Sequence, residues 1–395
     1  MVSLTSAALV AAVAVLVPVA ARLCRVTVPE SVLEIVIGIV IGIVVGPQVL
    51  GWAGTDPAVQ VLSIIGLGFV LLLAGLDIDL GRLPRRLLAV TVAGWVASFI
   101  MALGVGFALA AVGLVRSPVF VAVVLSATSL GILLPVLADA GEADSDFGQL
   151  IVAGASVAEL APIVLLSLLF SESENDVGSR AAMLVLFVAF ALAALVALLG
   201  IERWKRLSQT LRELQETTSQ IRVRAAFALL VAYAAIAARF GLGVILGAFL
   251  AGATVRAVDH DPVGTHHLFR VKLEGAGYGV FVPFFFVSTG MALDVHALVS
   301  SPATVAKVPL FLGGMVLARG LPAMVLRPWA SHLTQVIAAG LLHATSLSIP
   351  VVAGLLGVHL GIIPPENYAA LVAAGLVSVT VFPVVSLRLL RGGQL

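Results

Sequence analysis

The segment SATSLGILLPVLADAG, residues 126–141, has a counterpart later in the chain, HATSLSIPVVAGLLG at residues 343–357. Both place Ala-Thr-Ser-Leu inside an apolar run, with a proline a few residues further on. A four-letter match can arise by chance. It indicates a repeat only if a second match has nearly the same offset.

A second pair of segments meets that condition. LLLAGLDIDL at residues 71–80 is similar to FVSTGMALDVHAL at residues 286–298. The glycine of the first segment precedes the first Ala-Thr-Ser-Leu by 52 residues, and the glycine of the second precedes the other by 54. We therefore infer an internal repeat.

The composition is that of a membrane protein. Hydrophobic residues make up 61% of the 395 positions and charged residues 11%, against about 25% charged residues in soluble proteins. The net charge of +1 gives no reason to expect a nucleic-acid partner. The single cysteine, Cys24, excludes an intramolecular disulfide and a cysteine-based metal cluster. We predict an all-α polytopic membrane protein.

Thirteen apolar runs are long enough to cross about 30 Å of hydrocarbon. The repeat relates the third run to the tenth and the fifth to the twelfth. Seven is an odd number of spans, so a shift by seven spans places each unit upside down in the membrane. The repeats are therefore inverted, as in many secondary transporters. The runs cover roughly 4–21, 29–50, 58–76, 87–114, 117–138, 147–170, 181–201, 223–238, 241–258, 277–293, 303–326, 333–358 and 367–387.

We expect one transmembrane domain over residues 1–395. The first repeat covers about 4–170, a linking helix and inner-surface segment about 181–222, and the second, inverted repeat about 223–391. The polar part of the linking segment is predicted to form an amphipathic helix, and no soluble regulatory domain is expected. With the N-terminus outside, seventeen Lys and Arg residues fall on the inner side and four on the outer side. This bias predicts a multi-pass protein of the cell membrane with a cytoplasmic C-terminus.

The repeated Ala-Thr-Ser-Leu segments predict two interrupted helices. We expect the fifth and twelfth spans to be broken near Thr128-Ser129 and Thr345-Ser346. Irregular backbone at membrane depth is tolerated where it is buried in protein or lines a cavity, and carbonyls released there can face a cation. The alternative is that these hydroxyls only help membrane helices to pack.

One acid lies near the middle of a span, Glu159 in QLIVAGASVAELAPIVLLSLLF (149–170). A carboxylate at the bilayer centre costs at least about 2.5–3.5 kcal/mol, so it needs a partner or a function. Ser156 lies three positions before it on the same helical face, and Pro162 three after it weakens the backbone hydrogen-bond ladder. We interpret Glu159 as the cation or proton site; the alternative is a buried acid neutralised by protonation or an ion pair.

Two further groups belong to the predicted site. Arg319 is the other charge deep in a span, and it needs a counter-charge or a wet cavity because it keeps its proton. We expect it to be the charge partner of Glu159, either as a switchable pair or as a static salt bridge. His343 adjoins the second break, and it is either a second titrating group or a satisfied polar side chain.

The second span carries Gly38, Gly42 and Gly46, spaced by four. This spacing lets another helix approach closely, so we interpret the span as a packing or dimer surface.

The chain resembles the monovalent cation:proton antiporters of the CPA2 group. The similarity spans nearly the whole chain, in order. It is carried by VPESVLEIVIGIVIGIVVGPQVLG (28–51), LGFVLLLAGLDIDL (67–80), ATSLGILLPVLADAG (127–141), LGAFLAGATV (246–255) and FVPFFFVSTGMALDVHAL (281–298).

The resemblance implies a Na⁺/H⁺ antiporter-like fold of thirteen helices, with a six-helix core domain, a dimerisation domain and two helices that cross at their unwound centres. It also implies a homodimer and an elevator-like movement of the core. In the family, the ion-binding carboxylate lies at the position of Glu159, and a threonine in the first interrupted helix lies at the position of Thr128. A basic residue is expected before the second interruption, and the position of Arg319 fits it only approximately. Relatives usually have two adjacent polar residues where this chain has Ala158-Glu159.

We therefore predict a secondary antiporter, not an enzyme, that exchanges Na⁺ or K⁺ for H⁺ without a resident cofactor. A single carboxylate at the site indicates electroneutral exchange. The oxygen atoms expected around the cation, a set suited to a hard ion, belong to Glu159, Thr128, Ser129, Ser156, Thr345 and Ser346. The alternatives are a cation- or proton-gated channel or sensor, and a symporter in which Arg319 holds an organic anion.

Overall fold

A computed structural model of the chain describes residues 4–23, 30–77, 85–142, 145–170, 177–202, 220–258, 265–299, 301–330 and 332–392. Regular structure in these ranges is helical. The helices are α1 (Thr5–Leu23), α2 (Glu30–Val45), α3 (Pro57–Asp77), α4 (Arg85–Ala111), α5 (Pro118–Leu125), α6 (Leu130–Asp139), α7 (Asp146–Leu169), α8 (Val177–Glu202), α9 (Ile221–Arg239), α10 (Val244–Val258), α11 (Thr265–Ala276), α12 (Val282–Ala292), α13 (Val295–Val299), α14 (Pro302–Met315), α15 (Leu333–His343), α16 (Ser348–His359) and α17 (Pro365–Gly392).

Short irregular helical turns join some of these elements into longer spans. A π-helical turn, Gly277–Phe281, connects α11 to α12, and another, Val316–Gly320, follows α14 and leads to a 3-10 turn at Pro322–Trp329. Within the described ranges, nine helices are long and apolar enough to cross a membrane, and four shorter apolar helices accompany them. Each of these thirteen segments overlaps one of the predicted spans. The predicted amphipathic stretch lies largely outside the described residues, which omit 203–219.

The chain divides into two compact units. The first contains Met1–Gln60, Leu80–Leu166 and Phe286–Leu395, and the second contains Val61–Asp79 and Ser167–Phe285. Neither unit is continuous in sequence, because each gathers helices from both halves of the chain. The division into two inverted repeats stays a prediction.

The first unit contains both predicted helix breaks. Helix α5 ends at Leu125 and α6 begins at Leu130, while α15 ends at His343 and α16 begins at Ser348. Pro350 is the third residue of α16, and proline is tolerated there because the first N–H groups of a helix have no intrahelical acceptor. The two predicted interruptions are therefore confirmed.

Glycines on α2 bring another helix of the first unit into backbone contact. A Cβ atom at Gly42 would overlap the carbonyl oxygen of Val287, and one at Gly290 would overlap that of Ile39. The close approach predicted from the glycine spacing is thus made within the chain, by α2 against α12.

The second unit has a similar contact of its own. Helices α3 and α10 touch at Gly75 and Gly252, where a Cβ atom would overlap the carbonyl oxygens of Phe249 and Leu72 respectively. Near the end of α3, Asp77 forms an ion pair with Arg270.

Candidate ion-binding site

The two helix breaks meet in the first unit and hydrogen-bond to each other. The backbone N–H of Ser129 donates to the carbonyl oxygen of Thr345 at 3.0 Å. The backbone N–H of Leu347 donates to Oγ of Ser129 at 3.1 Å. Ser129 is buried and so is Thr345, which means that backbone groups released by one break are satisfied by the other, as membrane depth requires.

Helix α7 carries Glu159 to the first break. The side chain is 4% exposed. Its Oε2 accepts a hydrogen bond from the backbone N–H of Leu130 at 3.2 Å. Leu130 is the first residue of α6, and the N-terminal end of a helix favours a negative charge because its N–H groups and its dipole both face the anion. The break thus provides an anion-stabilising position for the buried carboxylate of Glu159.

Pro162 explains why α7 can accept a hydrogen bond from the first break. In a regular helix the N–H of residue 162 would donate to the carbonyl oxygen of Ala158, but proline has no N–H. The backbone N–H of Thr128 lies 3.3 Å from that carbonyl oxygen and donates to it. The proline therefore leaves an acceptor for the first break, one residue before Glu159.

Arg319 reaches the first break from the π-helical turn Val316–Gly320. It is 3% exposed. Its Nε donates to Oγ1 of Thr128 at 3.0 Å and also lies 3.4 Å from the carbonyl oxygen of His343. Single π-helical turns are frequent at functional sites, and this one places a permanent positive charge beside the first break.

The hydroxyl of Thr128 joins three elements. It accepts from Arg319 and donates to the carbonyl oxygen of His343, the last residue of α15. A helix C-terminus carries partial negative charge, so it suits the guanidinium that lies beside it. Thr128 therefore connects the first break to the end of the second interrupted helix.

The remaining predicted hydroxyls bond more locally. Oγ of Ser156 donates to the carbonyl of Val152 at 2.9 Å, and Oγ1 of Thr345 donates to that of Leu341 at 3.0 Å, each within its own helix. Oγ of Ser346 is buried and has no hydrogen-bond partner in the described part of the chain.

His343 is buried at the end of α15 beside α7. Its Nε2 lies 3.1 Å from the carbonyl oxygen of Ile151, and its ring packs against Gly154. With Nε2 as the donor, the neutral ring leaves Nδ1 without a proton. Its part in proton transfer stays a prediction.

Contacts thus link most of the predicted residues: Thr128 with Arg319 and His343, Ser129 with Thr345, and Glu159 with the start of α6. Among the described residues, the polar contacts of Arg319 are with neutral groups, Thr128, Ser98 and the His343 carbonyl. The role of Arg319 as the charge partner of Glu159 stays a prediction.

Two serines at the site were not predicted from the sequence. Oγ of Ser98, on α4, accepts from Nη1 of Arg319 at 3.1 Å. Oγ of Ser378, on α17, accepts from the backbone N–H of Ser346 at 3.2 Å. Each is a lone serine on an apolar helix, a pattern that sequence alone does not distinguish from helix packing.

A family model described as sodium/hydrogen exchanger, transmembrane, matches residues 9–391. The chain belongs to the sodium/hydrogen exchanger family. It is therefore a multi-pass membrane protein of a family of transporters rather than enzymes, and the resemblance to cation:proton antiporters is confirmed.

Two relatives and one solved structure show how far the similarity extends. YjbQ of Bacillus subtilis strain 168 is 28% identical over 344 residues, which are 83% of this chain and 54% of YjbQ. GerN of Bacillus cereus, named a Na⁺/H⁺-K⁺ antiporter, is 28% identical over 257 residues, 64% of this chain and 63% of GerN. The sodium proton antiporter MjNhaP1 of Methanocaldococcus jannaschii has the same fold, with a TM-score of 0.62 and 16% identity over 98% of this chain and 96% of MjNhaP1.

This exchanger-family chain spans about half the length of YjbQ and just under two thirds of GerN. The MjNhaP1 comparison confirms the predicted fold class.

Proposed function

We propose that this chain exchanges a monovalent cation, Na⁺ or K⁺, for H⁺, and that Glu159 binds either one. The observation that carries the proposal is the position of this buried carboxylate beside the first break, with Leu130 N–H donating to it. Such a carboxylate can hold a proton or a cation but not both, and this competition couples the two fluxes. Family membership and the name of GerN support the same activity.

Oxygen atoms of the two breaks would complete the cation shell. Na⁺ and K⁺ are hard ions that take carboxylate, carbonyl and hydroxyl oxygens. The Ser346 hydroxyl has no other hydrogen-bond partner in the described residues, so it is the hydroxyl best able to serve as a ligand. Thr128, Ser129, Ser156 and Thr345 make other hydrogen bonds and would contribute by exchanging a partner or through their carbonyl groups.

Arg319 would act as a permanent positive charge beside this shell. A guanidinium cannot lose its proton under ordinary conditions, so it balances the ionised Glu159 when no cation is bound. Through Thr128 it also contacts the first break. A cation that binds at the breaks would then change the net charge of the site, while the charge of Arg319 itself stays the same.

The transport cycle we propose is an elevator-like movement of a core domain that contains Glu159. The protein would lie in the cell membrane as a homodimer with its N-terminus outside and its C-terminus in the cytoplasm. These features rest on the family resemblance and on the distribution of Lys and Arg.

Ion exchange in proteoliposomes tests the proposal. A Na⁺ or K⁺ gradient should drive saturable movement of protons, read by an internal pH dye, in the reverse direction to the cation. Glu159→Gln should abolish it, because an amide keeps the shape and hydrogen bonding of the side chain without accepting a proton or binding a cation as a carboxylate does. Glu366→Gln, at the start of α17, is the matched control and should exchange normally.

Two outcomes would contradict the proposal. Cation-driven proton flux that persists in Glu159→Gln would remove Glu159 from the mechanism. Flux that does not saturate, and that cannot accumulate one ion against its gradient at the expense of the other, would indicate a channel instead of an exchanger.

A further inference from the structure

A small cavity lies beside Arg319 in the first unit. It has a volume of about 30 Å³. Its polar wall is formed by Thr91, Trp95 and Ser98 of α4, by Arg319, and by His343. All of these residues belong to the first unit. A cavity of this size accommodates roughly one or two water-sized occupants.

Two buried N–H groups on this wall have no partner. Nη2 of Arg319 and Nε1 of Trp95 make no hydrogen bond within the described part of the chain. Buried polar groups are nearly always hydrogen-bonded, so two on one small cavity indicate an occupant that accepts hydrogen bonds. Both donors are fixed in place, since Nη1 of Arg319 donates to Ser98 and the Trp95 ring stacks on Phe99 with 5.5 Å between centroids.

The other polar side chains of the wall are already committed. The hydroxyls of Thr91 and Ser98 donate to the carbonyls of Leu88 and Gly94 at 3.0 Å each. Nε2 of His343 lies 3.1 Å from the Ile151 carbonyl. None of the residues that line the cavity is acidic. The one formal charge on the wall is therefore the positive charge of Arg319.

We propose that this cavity binds a small monatomic anion such as chloride, held by Nη2 of Arg319 and Nε1 of Trp95. Water would satisfy both donors, but a halide at the same place would also put a negative charge beside the one formal charge on this wall, and opposite charges attract most strongly where the dielectric constant is low. The residues that line the cavity include none of the proposed cation ligands, Glu159, Thr128, Ser129, Ser156, Thr345 and Ser346, so the two sites are distinct.

The anion would have a definite effect on the molecule. It neutralises Arg319 without contacting Glu159. The net charge next to the two helix breaks would therefore depend on the halide concentration as well as on Na⁺ and H⁺. It also joins α4 to the π-helical turn through Trp95 and Arg319, and binding should stabilise the folded protein as any ligand of the native state does.

Thermal unfolding of the full-length protein tests this site without using transport. The Na⁺ concentration is held constant while gluconate is replaced by chloride or bromide. The unfolding midpoint should rise with halide and then saturate. In Trp95→Phe, which keeps an aromatic ring on Phe99 but lacks the N–H, the half-saturating halide concentration should increase about tenfold, as expected for one hydrogen bond to a charged acceptor. Trp52→Phe, at an indole that is 66% exposed, should match the wild type.

Crystals grown in bromide give a second measurement. The expected result is an anomalous peak within hydrogen-bond distance of Nη2 of Arg319 and Nε1 of Trp95. The proposal is overturned by peaks on the protein surface alone, which would mean an adventitious ion only, or by halide titrations that coincide for Trp95→Phe and Trp52→Phe. Because neither readout involves exchange, failure here would not bear on the antiporter activity.

Discussion

The backbone N–H of Thr128 donates to the carbonyl oxygen of Ala158 over 3.3 Å. That carbonyl is the one whose helical donor is missing because residue 162 is proline. One imino acid in α7 therefore positions the first helix break next to the carboxylate of Glu159.

Pro162→Ala should weaken the contact between α7 and the break. The alanine N–H would compete for the Ala158 carbonyl, and a typical hydrogen bond contributes about 1 kcal/mol net. We expect initial rates of cation-driven proton flux to fall roughly fivefold while the protein still folds. Hydrogen exchange should show faster exchange of the Thr128 amide. Pro18→Ala, in α1, is the control; equal rates and equal Thr128 protection in the two variants would refute the argument.

Glu159→Asp should retain part of the exchange activity with an altered pH optimum. The side chain is shorter by one methylene, so its oxygens lie further from the Leu130 N–H and from the breaks. Initial rates measured across a pH series in proteoliposomes would show the change. Glu366→Asp should keep the wild-type profile. A wild-type profile for Glu159→Asp would mean that the contact with Leu130 does not contribute to ion binding.

Arg319 and Thr128 should be energetically coupled. Arg319→Lys keeps the charge but loses the planar set of donors that reaches both Thr128 and Ser98, and Thr128→Val removes the hydroxyl with little change in shape. A double-mutant cycle on the free energy of unfolding should give a coupling of about 1–3 kcal/mol. The same cycle with Thr380→Val, whose hydroxyl bonds within α17, should give a value near zero. Additive effects for Arg319 and Thr128 would contradict the hydrogen bond.

Exchange should be electroneutral. Ala158 stands where a second polar side chain is usual in relatives of this kind, so one carboxylate takes either one proton or one monovalent cation. If Arg319 stays charged, the loaded site has the same net charge in both directions. A membrane potential is worth about 2.3 kcal/mol per charge per 100 mV, and it should have no effect on sodium-driven flux.

An imposed potassium-diffusion potential, with sodium as the substrate, measures this directly. A dependence of the initial rate or of steady-state sodium accumulation on voltage would show that a second proton moves. His343→Asn would then test whether His343 carries it, because the amide cannot take up that proton.

Local sequence was sufficient to predict the membrane character, the thirteen spans and the two breaks at Thr128-Ser129 and Thr345-Ser346. Span length depends on the thickness of hydrocarbon to be crossed, and the repeated Ala-Thr-Ser-Leu segments mark both interruptions in the sequence itself. Glu159 also stands out from local sequence, since an acidic residue inside a long apolar run is visible without knowledge of its tertiary contacts.

The partners of these groups were decided by tertiary structure. Arg319 bonds Thr128, 191 positions away, and Ser98, 221 positions away. The Ala158 carbonyl receives Thr128 because α7 packs against the first break, and Trp95 lines a cavity with Arg319 because α4 lies beside the π-helical turn. A lone serine or tryptophan on an apolar helix has no local signature. Its hydrogen-bond partner is set by which distant helix is brought within 3 Å or so in the packed fold.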